Sequence, residues 1–179
     1  MQPLEPSDVF QAGNVDLDWF SIAGAEHAHR LGRGLIEARA DELHPATRAF
    51  LEDGLRVSAE DYLAARRRRF DHVRALDELL GDDGAILSPV MVIASCPADG
   101  VLPGASDPGL PPDAYVTQAQ NMTGHPAISV PAGTLATLPF GPQITGPRFR
   151  DYLVLDLAEA WEQAHPWPRV APGYEPFDV

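Results

Sequence analysis

Lysine is missing altogether: the 13 basic side chains of this 179-residue sequence are all arginine. Without lysine the chain has no Schiff-base chemistry, no phosphate-binding lysine of the Walker kind and no serine–lysine catalytic pair of its own. Cysteine is almost missing too. The single Cys96 excludes an intrachain disulfide and any cysteine-rich zinc site. Positive charge is scarce, 13 basic against 26 acidic residues for a net −13, which argues against a protein built to hold nucleic acid or anionic lipid. The apolar runs are far too short to cross a bilayer, and the opening MQPLEPSDVF lacks the basic start and apolar stretch of a signal peptide. A cytoplasmic protein with no membrane role is the expectation. None of the seven serines adjoins a glycine or another serine, so a nucleophile elbow is absent.

What is present reads as one globular domain over 1–179, with 45% hydrophobic and 22% charged residues. The first half is helical and the second is built of strands and turns. Residues 1–17 read as an extended N-terminal arm, and 166–179 as a proline-rich C-terminal tail. Phe20, Ile22, Ala23, Leu31, Leu35 and Ile36 predict a helix from Asp18 to about Ala40, weakened by Gly24, Gly32 and Gly34. A short helix should follow Pro45 and stop at Gly54, a C-terminal glycine. The clearest helix is 59–80, with Ser58 and Asp61 as a capping box, Leu63, Phe70, Val73, Leu76 and Leu80 on one face, and Gly81 as its stop. A buried strand interrupted by Pro89 follows, then a proline- and glycine-rich loop over 97–112. Strands are expected at 127–130 and 138–144, and a last helix at 151–164 with Leu153, Leu157 and Trp161 on one face.

Little in the residues points to chemistry. His27 and His29 are two apart, so on a helix they diverge and read as solvent-facing rather than metal-binding. Arg66 to Arg69 spread around the 59–80 helix and read as a solvated face, paired locally with Glu60, Asp61 and Asp71. Cys96 reads as a filler, and His125 has no partner at a spacing that demands catalysis. No catalytic residue, metal site or cofactor is assigned.

The run from Asn121 to Gly133 (NMTGHPAISVPAG), followed by Leu138 to Pro147 (LPFGPQITGP), resembles the C-terminal region of the amidase signature family. The likeness extends in order to Trp19 with Glu26, Gly54, the Tyr62–Ala65 helix with Arg69, the strand step ending in Ser88–Pro89, and the closing helix from Asp151 to Trp167. Ser88 stands where the family has threonine, and Thr137 where it has glycine.

The resemblance implies a partial α/β fold, a mixed sheet flanked by helices. It also implies hydrolysis of a carboxamide C–N bond by a serine, a second serine in a cis peptide and a lysine, all borne by an N-terminal part that matches nothing here. Asn121, Gly124, Pro126, Gln143 and Gly146 are the motif positions that would line a substrate pocket or brace it. Bracing is the reading for Asn121 and Gln143, whose amides sit in apolar, proline-bounded runs and need fixed partners. Residues 94–112 are candidates for the mouth of a pocket. The chain is therefore expected to be a C-terminal subunit or fragment of a split amidase, with a protein partner carrying the catalytic serine and lysine. The alternative is a non-catalytic binding or assembly module that self-associates.

Overall fold

The computed structural model describes residues 3–91, 116–135, 138–168 and 170. Cys96, the 94–112 loop, Thr137 and most of the 166–179 tail lie outside them. The N-terminal stretch carries a helical turn, α1 (Pro6–Val9), where an extended arm is expected. Asn14 then caps α2 (Val15–Leu31), its side-chain oxygen accepting from the amides of Asp16 at 2.9 Å and Leu17 at 3.0 Å. The expected single helix to residue 40 is two helices. Gly32, with φ +80, ends α2 by donating to the Ala28 carbonyl, and α3 (Arg33–Ala38) leaves in a new direction. Leu31 and Leu35 consequently face outward, while Ile22, Ala28 and Ile36 are buried.

Pro45 opens α4 (Pro45–Gly54), which crosses α2. Gly54 is not the left-handed cap its position suggests; it is the residue where the two helix backbones touch. A Cβ on Gly54 would lie 2.1 Å from the carbonyl oxygen of Gly24. Ala28, Ile36 and Leu51 fill a cluster along this crossing.

Helix α5 (Ala59–Leu80) has the expected ends: the Ser58 hydroxyl accepts from the Asp61 amide at 3.0 Å, and Gly81 takes φ +53. Its buried face agrees with the expected one at Leu76 and Leu80 but departs from it toward the N-terminus. Ala65, His72, Leu76 and Leu80 point inward, whereas Leu63 and Phe70 are 60% and 67% exposed. The fully buried Ala65 has too little bulk to hold neighbours away, so α2 packs along this line, with Val15, Ile22 and Met122 closing the cluster.

The described residues of the second half form five strands and two helices: β1 (Ile86–Pro89), α6 (Gln118–Thr123), β2 (Ala127–Ser129), β3 (Gly133–Leu135), β4 (Leu138–Phe140), β5 (Pro142–Thr145) and α7 (Asp151–Ala164). β5 is central in the order β1-β5-β2, and both of its ladders are antiparallel. The described strands thus form small antiparallel sheets in place of the mixed sheet expected. The expected 138–144 strand breaks at Gly141, where a Cβ would lie 2.2 Å from the Val130 carbonyl oxygen. The part before the break, β4, folds back on β3 as a hairpin. Helix α7 has the expected bounds and lies on β2 and β5, with Val154 buried beneath it. Among the described residues no helix is long and apolar enough to cross a membrane.

Candidate functional site

The motif residues converge around β5. Gln143 is buried, and its side-chain nitrogen donates to the Val116 carbonyl at 2.6 Å, the Ser88 hydroxyl at 3.1 Å and the Pro89 carbonyl at 3.4 Å. One amide thus ties the end of β1 and the chain entering α6 to the central strand. Gly124, with φ +74, closes α6 through a bond to the Gln120 carbonyl. Pro126 accepts from the amide of Gly146 at 3.0 Å, and a Cβ on Gly146 would meet a Val154 methyl at 2.6 Å. These four residues form one braced corner. Asn121 stands apart: it is exposed on α6 and donates to the Thr117 carbonyl one turn back, at 2.9 Å. The buried, fixed amide expected at 121 is found at 143 only.

Beside that corner lies an ionic cluster. Arg148 holds Asp77 of α5 with two bonds, at 3.0 and 2.6 Å, and the buried His125 places Nε2 3.3 Å from the same carboxylate. The turn that delivers Arg148 has Phe149 at φ +65, a strained conformation for a bulky residue. His125 Nδ1 meets the Thr123 hydroxyl at 2.9 Å, and that hydroxyl donates to the Ala119 carbonyl at 2.7 Å. The hydroxyl proton goes to the helix carbonyl, so Nδ1 carries the imidazole proton and donates to Thr123, while Nε2 makes no hydrogen bond to the carboxylate. Thr123 and His125 are both buried, so no substrate reaches them. Burial holds the His125 imidazole below its ordinary pKa, against the opposing pull of Asp77. The group is a neutral strut.

A second cluster has no clear signature in the sequence. Asp18, near the start of α2, is buried and accepts both nitrogens of a forked Arg68 (3.0 Å from Nε to each oxygen, 2.5 Å from Nη2) and His72 Nε2 at 2.8 Å. A carboxylate has only lone pairs to offer, so Nε2 donates to it, and Nδ1 has no hydrogen-bond partner among the described residues. His72 is fully buried, under the edge of the Phe10 ring. The arginine run is therefore mostly not a locally paired solvated face. Arg66 pairs with Glu26 at 3.2 Å, Arg68 with Asp18, and Arg69 donates to the Met122 carbonyl at 2.6 Å, so three of the four tether α5 to α2 and α6. The signal that could have revealed this is His72 itself, a polar residue seven positions from Ala65 on the inward stripe, where a buried partner is required.

His27 and His29 are exposed, and His27 Nδ1 lies 2.7 Å from the Ala23 carbonyl. No group of three His, Cys, Asp or Glu side chains is placed to hold a metal among the described residues. The polar groups of the corner and of both clusters are committed to holding elements together.

No family model matches the sequence. The chain is 34% identical over 137 residues to "Putative amidase AmiD" of Mycobacterium tuberculosis, covering 75% of this chain. It is 51% identical over 47 residues to a glutamyl-tRNA(Gln) amidotransferase subunit of Pseudothermotoga lettingae, 26% of this chain and 10% of that protein. Among solved structures, a crystal structure of an amidase superposes with a TM-score of 0.72 at 22% identity, covering 87% of this chain and 36% of the other. A bacterial aryl acylamidase of the amidase signature enzymes gives 0.63 at 23% identity, covering 92% and 35%. The chain spans about 29% of the length of the AmiD relatives it matches. It belongs to the amidase signature family and carries a partial region of that fold.

Proposed function

We propose that this chain is the non-catalytic portion of a carboxamide hydrolase, completed by a partner polypeptide that brings the serine, the cis-peptide serine and the lysine. The observation that carries this reading is the complete lack of lysine in a chain of this family. The side chains at the braced corner support it, because Gln143, His125 and Arg148 are each engaged in holding strands and helices. Exposed apolar side chains supply surface for the partner: Leu63 and Phe70 on α5, and Leu135, Leu138 and Phe140 on the β3–β4 hairpin. The role assigned to the corner is to hold the wall of the pocket in register while the partner performs acyl transfer. A single cysteine fits a cytoplasmic setting.

Native mass spectrometry after co-expression with a chain bearing the family's glycine- and serine-rich signature tests the assembly. A discrete complex containing one of each is expected. A stable homodimer that ignores such chains would overturn the reading and favour a self-assembling, non-catalytic module.

A further inference from the structure

The two outer strands of the three-stranded sheet are not equivalent. The Pro126 carbonyl accepts from Gly146 and the Val130 amide donates to Pro142, each at 3.0 Å, with Ile128 opposite Ile144 between them. In an antiparallel ladder the backbone groups alternate sides, so Ile128 spends its groups on β5. Ala127 and Ser129 therefore turn their N–H and C=O groups to the opposite edge, where no described residue pairs with them in a ladder. On β1 the same alternation gives the outer edge to Leu87 and Pro89, and Pro89 has no N–H to donate. Among the described residues one edge is blunted by proline and the other is unpaired.

The unpaired edge runs beside a groove of about 410 Å³ between β2 and α7. Its floor is apolar, with Ile128, Leu155, Trp161 and Trp167 contributing. Trp161 is fixed there by donating to the Pro131 carbonyl at 2.8 Å and by stacking on His165 at 4.5 Å. Glu159 and Glu162 stand exposed on its rim. A free row of backbone donors and acceptors next to an apolar trough is the arrangement that receives an added strand.

We propose that the β2 edge and the β2–α7 groove bind an extended segment of a partner protein that presents both apolar and basic side chains, two residues apart, on its groove-facing side. On that one face the apolar residues enter the groove and the cations meet Glu159 and Glu162 at its rim, while the segment's backbone pairs with Ala127 and Ser129. Charge selects this occupant over a second copy, because two chains of net −13 repel. The inference holds whatever reaction the assembled protein performs.

The test uses the full chain and an end-blocked peptide of about eight residues, with valine and arginine taking turns at the groove-facing positions and threonine between them. Binding is read from Trp161 fluorescence and from the NMR shifts of the Ala127 and Ser129 amides. Saturable binding that shifts both amides is expected. Ser129→Pro removes an outward N–H and leaves the β5 ladder whole, and should weaken binding about tenfold, whereas Ser129→Ala should not. Glu159→Lys with Glu162→Lys, both on the surface, should weaken it by a similar factor and keeps the test open if the proline variant does not fold. Equal binding of a valine–glutamate peptide, or unchanged affinity in the glutamate variant, would overturn the proposal. So would a homodimer that Ser129→Pro dissolves, which would give the edge to a second copy.

Discussion

Gly54 and Gly24 meet backbone to backbone, and the contact is asymmetric. A Cβ on Gly54 would lie 2.1 Å from the Gly24 carbonyl oxygen, while one on Gly24 would lie 3.3 Å from the Gly54 Cα. Gly54→Ala must therefore push α4 off α2 and should cost roughly 2–4 kcal/mol. Gly24→Ala meets a milder squeeze and gains helix propensity of about 1 kcal/mol, so it should be near neutral. Urea unfolding of the two variants checks the order; equal costs would contradict it.

Asp18 holds Arg68 and the buried His72 at once. Asp18→Ala strands the imidazole N–H in the core, and a loss of roughly 2–4 kcal/mol is expected. Glu26→Ala, which breaks the half-exposed pair with Arg66, should cost less than about 1 kcal/mol. Denaturation midpoints of the two variants separate the buried tether from the surface one.

His125 sets a pH dependence. Burial puts its folded pKa below the ordinary value of 6.5, which the unfolded chain keeps. Between those two values the unfolded state binds more protons than the folded one. Stability is therefore full above the unfolded value and is lost as pH falls toward the folded one. His125→Gln should lose less stability than the parent across this window. Parallel losses in urea melts through the window would rule the strut reading out.

Gln143→Leu keeps the volume but removes the donor shared by Ser88, Pro89 and Val116. A cost of roughly 1–3 kcal/mol is expected, with faster hydrogen exchange confined to β1 and the entry to α6. Uniform exchange across the chain would mean the amide braces nothing in particular.

Helix ends are readable in the sequence because their signals are local. Ser58 and Gly81 bound α5, and α7 runs over the residues its periodicity marks out. Which face of α5 turns inward is readable at Leu76 and Leu80 but not in the helix's first half. It depends on Ala65 admitting its neighbours, and hydrophobicity alone ranks Leu63 and Phe70 above it. The break at Gly141 is set by Val130, and the partners of Arg66, Arg68 and Arg69 lie 40 to 53 residues away. Gln143 is legible as a brace because a lone amide in an apolar strand has no other fate. Asn121 departs from the same expectation because its run is a short helix, which puts the side chain outside.

On the proposed function, amide hydrolysis needs a lysine that only a partner can bring. The most direct measurement is kcat/KM on an aryl carboxamide for the chain alone, for a signature-bearing partner alone, and for the two mixed. Hydrolysis should appear in the mixture, vanish when the partner's lysine is replaced by methionine, and be absent from this chain alone. Enzyme-like turnover by the lone chain would contradict a catalytic lysine supplied from outside it.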